Sequence, residues 1–207
     1  MKSNIIAFLL LFAGLFTSAQ TKMNAAEIKQ FTARISAESK KIKTLQANFV
    51  QTKKMDFLNK DLVTSGEMAL QAPGMLSWKY TKPYQYSVVF KNGKMHINDQ
   101  GKKSTFDAKS RNFEKLNRLI IGSANGNLLN DPDFNVSYYK NAGTNIARFI
   151  PKSAQLLKYI KQVDLHFAPN QSVVSQVNML EASGDTTNIV FKNTKVNAPV
   201  PAAAFSL

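Results

Sequence analysis

"LQAPGMLSWKYTKPYQYSVVFKNG", residues 70–93, decides how this chain is read. Leu76, Trp78 and Tyr80 alternate with Ser77, Lys79 and Thr81. Beyond Pro83, Tyr84, Tyr86, Val88 and Phe90 alternate with Gln85, Ser87 and the less polar Val89. A period of two places one set on one face of a strand. The stretch therefore predicts two strands with an aromatic-rich face, turned at Pro73-Gly74 and at Asn92-Gly93, a strong hairpin signal. The question is what covers that face: the protein's own core, or something it carries.

Upstream, Asn24-Ala25-Ala26-Glu27 has the form of a capping box. Ile28, Phe31, Ile35, Ile42 and Leu45 follow at helical spacing, predicting one amphipathic helix over about residues 24–43, its stripe interrupted at Glu38 and Ser39. From Leu45 the period changes, since Leu45, Ala47 and Phe49 alternate with polar neighbours and Gln51 continues their face. A second strand runs over residues 63–72, with Met68 and Leu70 on one face. Gly66 inside it marks a bulge or a sharp bend.

Downstream, residues 94–99 and 103–108 form a hairpin around Asp99-Gln100-Gly101. Phe113, Leu116, Leu119 and Ile120 then return to helical spacing, and Gly122 ends the run. Five more strands follow, over residues 134–139, 146–150, 160–167, 173–181 and 187–192. Pro199-Val200-Pro201 keeps the tail out of any central strand. No internal repeat or linker is visible. The pattern predicts a mainly β (α+β) fold: an unclosed antiparallel barrel or strongly curved sheet, with helical segments over its concave face.

The chain has 207 residues, 44% of them hydrophobic and 19% charged, enough for one domain with a sizeable core. Lys2, an apolar run over residues 5–16 and the small residues Thr17-Ser18-Ala19 read as a secretory signal peptide cut after Ala19. The alternative is an uncleaved anchor helix, for which the run is short. Residues 20–207 then form a single domain. There is no cysteine, so packing rather than disulfides must hold the fold, and no acylated cysteine can anchor the chain. The formal net charge is +14. Export argues against nucleic acid as a partner. The lysines serve solubility or attract the protein to anionic membrane surfaces.

Catalytic sets are not visible. His96 and His166 stand alone in strand-like runs, and no metal-ligand spacing occurs. Residues 122–126, Gly-Ser-Ala-Asn-Gly, do not match G-x-S-x-G and follow a helical pattern instead of a strand. The acidic residues are few and scattered, so no paired carboxylates stand out. A non-enzyme that needs no metal or cofactor is expected.

In order along the chain, the helix, "LQANFVQT" (residues 45–52), "SGEMALQAPGMLSWKYTKP" (residues 65–83) and the hairpin at "NGK" (residues 92–94) resemble the periplasmic outer-membrane lipoprotein carrier family, LolA-like. Phe49 and Gln51 match its F-x-Q; Gly66, Pro73, Trp78 and Pro83 match its glycine and its Pro-flanked Trp strand; Pro201 and Phe205 match its closing tail. The resemblance implies an unclosed barrel with a helical lid, whose cavity holds lipoprotein acyl chains between the inner and outer membranes. It implies a cavity wall of Phe49, Met68, Leu70, Leu76, Trp78, Tyr80, Tyr86, Val88 and Phe90, and a lid carrying Phe113, Leu116, Leu119 and Ile120. The implied partners are acylated lipoproteins, an energised lipoprotein-releasing transporter of the inner membrane and an outer-membrane acceptor, served by a periplasmic monomer. Relatives serving another acylated lipid or glycolipid, as carrier or sensor, are the alternative. One position departs from the family: many carriers place Arg before the Pro of the Trp strand to bond the lid, where this chain has Ala72, whose side chain cannot donate.

Overall fold

The computed structural model describes residues 20–107 and 131–207. Among them, twelve strands form one sheet: β1 (Thr21–Lys22), β2 (Thr44–Lys54), β3 (Leu62–Gln71), β4 (Met75–Lys82), β5 (Tyr86–Lys91), β6 (Lys94–Asp99), β7 (Lys102–Asp107), β8 (Phe134–Asn141), β9 (Thr144–Pro151), β10 (Ile160–Phe167), β11 (Val174–Glu181) and β12 (Thr186–Val196). Their order is β1-β8-β9-β10-β11-β12-β2-β3-β4-β5-β6-β7, and each neighbouring pair is antiparallel. Two meanders, β2–β7 and β8–β12, are thus joined where β12 pairs with β2. The sheet does not close. One edge is the two-residue β1, and the other is β7, whose residues are all exposed. A very short strand and a charged strand are both poor templates for further pairing.

The turns follow their local chemistry. Asn92 and Gly93 have φ of +53° and +71°, the pair of positive values that a two-residue hairpin of matching twist requires. Gly66 is needed for a different reason. A Cβ there would stand 1.9 Å from the Lys79 carbonyl oxygen and 2.7 Å from the Phe49 ring, and the β3–β4 register slips at this point. The expectation of a bulge is met, and a close backbone approach comes with it.

Helix α1 (Ala25–Ser39) starts at the capping box read from the sequence. Asn24 Oδ1 accepts from Glu27 N at 3.0 Å, and Glu27 Oε2 accepts from Asn24 N at 2.9 Å. The helix ends four residues earlier than expected. Lys41 N and Ile42 N turn back to the Glu38 and Ser39 carbonyls, and Ile42 leaves for another part of the core. Ser39, expected to interrupt the stripe, is buried and donates to the Ile35 carbonyl at 2.6 Å. Two short elements have no strong period and were not expected: the helix α2 (Ala154–Leu157) and a 3₁₀ turn (Ala202–Phe205).

The two faces of the sheet are chemically distinct. On the concave face, Phe31 and Ile35 of α1 pack against Tyr138, Ala147, Phe149, Val163, Leu165 and Phe167. Phe31 meets Tyr138 and Phe167 edge-on, at 5.9 and 5.3 Å between centroids. On the opposite face, Arg148 grips the buried Asp164 with two hydrogen bonds, Nε to Oδ1 at 2.9 Å and Nη2 to Oδ2 at 2.7 Å. The Asp164 interaction holds the guanidinium pKa above its ordinary value. The tail crosses the same outer face further along, where Phe205, Val200 and Leu207 cover Ala69 and Val89. Asn197 ties the tail down through Lys43 N (2.7 Å) and the Lys41 carbonyl (3.1 Å). The expected signal peptide (residues 1–19) and the expected lid residues Phe113, Leu116, Leu119 and Ile120 lie outside the described residues.

Candidate functional site: an apolar cavity under the curved sheet

The curvature of the sheet encloses a cavity of about 390 Å³ on the concave face, lined from seven successive strands, β10 through β5 in sheet order. That volume lies in the roughly 300–1,000 Å³ range of small-molecule sites. Period-two alternation aims the lining. β2 contributes Leu45, Ala47 and Gln51; β4 contributes Leu76, Trp78 and Tyr80; β5 contributes Tyr86, Val88 and Phe90. In β3, Met68 lies beside Trp78.

Seven of the nine wall residues named from the sequence line this cavity: Met68, Leu76, Trp78, Tyr80, Tyr86, Val88 and Phe90. Phe49 and Leu70 do not. Each is about 1% exposed and packs beneath the wall. Phe49 stacks on Trp78, with centroids 4.2 Å apart, and meets the Tyr80 ring edge-on at 5.2 Å. It therefore sets the pose of the wall from behind. The physical reason is Gly66, opposite Phe49, whose missing side chain leaves room for the ring to sink into the sheet.

Sequence reading missed the other wall. Val163 and Leu165 of β10, Val177 and Met179 of β11, and Ile189 and Phe191 of β12 also face the cavity. The signal was present in the same alternation, but it gave no hint that these strands curl round to oppose Trp78. Phe191 and Trp78 meet edge-on at 6.0 Å, although 113 residues separate them in sequence.

The cavity has one polar end. Lys53 Nζ lies 2.8 Å from Glu181 Oε2 and 3.8 Å from Asp185 Oδ2, and Thr187 Oγ1 donates to Glu181 Oε1 at 2.9 Å. Along the wall, the Tyr80 hydroxyl donates to Gln51 Oε1 at 3.0 Å, and burial raises the Tyr80 pKa. The indole Nε1 of Trp78 is buried and meets no acceptor in bonding geometry. Among the described residues no group of three or more His, Asp or Glu could hold a metal. His166 belongs to the outer face instead. Asn178 Oδ1 accepts from Gln176 and Asn188, so its Nδ2 is left to donate to His166 Nε2 at 3.0 Å, which fixes the proton of the neutral ring on Nδ1. Burial lowers the His166 pKa from its ordinary 6.5. His96 is bonded to Thr105, also away from the cavity.

The family model described as outer membrane lipoprotein carrier protein LolA matches residues 40–207. The chain belongs to the LolA family. An outer-membrane lipoprotein carrier protein of Chromobacterium violaceum is 28% identical over 211 aligned residues, covering 94% of this chain and 87% of that one. Its counterpart from Pseudomonas fluorescens is 26% identical over 193 aligned residues, covering 90% and 88%. Among solved structures, the MucA/MucB complex of Pseudomonas aeruginosa aligns with a TM-score of 0.52 at 10% identity. The alignment covers 86% of this chain and 60% of that one, a likeness of fold alone. The family model and these relatives are described as lipoprotein carriers.

Proposed function

We propose that this protein carries acylated lipoproteins, holding their acyl chains in the cavity between β2–β5 and β10–β12. The observation that carries the reading is one apolar cavity, of about 390 Å³, built by seven strands of a LolA-family chain. Burial contributes about 0.8 kcal/mol per CH₂, so one long acyl chain gains on the order of 10 kcal/mol relative to water. A bilayer offers the chain an equally apolar home, so the carrier needs only to hold cargo in water and yield it at the next membrane. The wall suits that task. Met68, Met179 and the half-exposed aliphatic side chains accept varied apolar shapes.

In this reading, residues 1–19 direct export and are cut after Ala19. Residues 20–207 act as one monomeric periplasmic domain, loaded by an inner-membrane transporter and emptied to an outer-membrane acceptor. With Ala72 in place of the family arginine, closure of the empty state depends on apolar contacts.

Native mass spectrometry of the mature protein from the periplasm, followed by lipid extraction, tests this. A bound acylated protein supports the reading. A bound free lipid or glycolipid keeps the cavity and changes the cargo. A clean apo mass, with no uptake of added acylated peptide, overturns it.

A further inference from the structure

Among the described residues, the large hydrophobic side chains left exposed are not spread over the surface. Eight of the ten lie at one end of the sheet; the other two, Phe106 and Val196, are at the opposite end. The strand registers bring the β2–β3, β4–β5, β9–β10 and β11–β12 connections together at this end. Three of these loops each present an exposed aromatic: Phe57 (78% exposed), Tyr84 (45%) and Tyr159 (58%). Leu58 and Leu157 stand beside the first and the last. The polar end of the cavity, at Lys53, Glu181 and Thr187, lies within the same rim.

We infer that this rim is a membrane-docking surface, which sets the polar end of the cavity against the headgroups of an anionic lipid bilayer. Three observations favour a bilayer over a protein partner. The three exposed aromatics come from three separate loops instead of one continuous face. Each exposed aromatic has a lysine close in sequence: Lys60 after Phe57, Lys82 before Tyr84 and Lys158 before Tyr159. Among the described residues none of these lysines makes an ion pair, whereas Lys53 and Lys54 are matched by Glu181, Asp185 and Asp61. Amphipathic rings with adjacent long cationic side chains suit the water–lipid interface. The rim also carries Asp56, Asp99 and Asp131, so its own charge is close to balance. Attraction over distance comes from the chain's formal net charge of +14, and adhesion comes from the aromatic tips. The inference goes beyond the carrier reading, because docking can be read without any cargo.

The test is flotation of the mature protein with phosphatidylcholine vesicles, with and without phosphatidylglycerol. The variants are Phe57→Ser, Tyr159→Ser and their combination, all at exposed positions. The wild type is expected to float with the anionic vesicles. Each single variant should lose roughly tenfold in partitioning, and the double variant more. Retention of an acylated peptide in vesicle-free solution should not change in any of them; its absence in the wild type would count against the carrier reading and leave docking untouched. Three results overturn the inference: no flotation of the wild type, equal flotation of the double variant, or variants that float normally but fail to bind a detergent-solubilised membrane protein. The last would assign the rim to a protein partner.

Discussion

The two halves of the concave face begin from the same pattern and end differently. Along β8–β10, alternate apolar residues are covered by Phe31 and Ile35 of α1, and Phe149 and Ala147 reach zero exposure. Along β2–β5, the same alternation packs the wall residues into a second cluster and leaves a cavity in front of them. Among the described residues, the sealed half has a helix to fill it, whereas the open half faces the far side of its own curled sheet. A sheet face becomes core or container according to what lies opposite, and alternation within the strand does not contain that information.

The comparison can be broken most sharply at Phe31. Phe31→Ala removes the central ring of the sealed half and should cost about 3–5 kcal/mol, read as a fall in the denaturation midpoint without change in slope. Gly66→Ala acts on the open half from behind, by driving a methyl into the Lys79 carbonyl and the Phe49 ring. About 3 kcal/mol of destabilisation is expected, because backbone must move. Restored stability on pairing with Phe49→Leu would identify the ring as the contested space.

The container half should respond differently. Phe191→Ala, at a half-buried wall position, is expected to cost about 1–2 kcal/mol of stability and to lower retention of an acylated peptide severalfold. If it cost as much as Phe31→Ala, the wall would be core and the distinction between the halves would vanish. Val177→Phe should sharpen the contrast by filling the cavity. Stability within about 1 kcal/mol of wild type, together with reduced cargo uptake, is the expected pair of readings.

The smallest effect lies on the outer face. Burial holds His166 neutral in the folded state, with its pKa below 6.5, and its Nε2 accepts from Asn178. The unfolded chain therefore binds the proton more readily. The stability that His166 contributes is complete above about pH 6.5 and is lost as pH falls through its depressed folded value. A His166→Gln variant should show a flatter loss of stability on acidification between pH 7 and 5, with cargo retention at pH 7 unchanged.

Local chemistry alone determined a good deal. The capping box at Asn24, the Asn92-Gly93 hairpin, the glycine in β3 and nearly every strand are consequences of residues within a few positions of one another. The period-two reading of residues 76–90 also placed Trp78, Tyr80 and Val88 on one face, where the cavity lies. Tertiary structure alone decided the rest. It sank Phe49 behind the wall, because the missing side chain at Gly66 opposite it in the β2–β3 register gave its ring space that no local pattern reveals, and it buried Leu70 between Leu45 and Leu76 of the neighbouring strands. It sent Ile42 to one cluster and Ile35 to another, although both continue the same helical stripe. It brought β12 beside β2, and so placed Ile189 and Phe191 opposite Trp78. Periodicity specifies which way a side chain points; only closure of the sheet by long-range pairing specifies what it meets there.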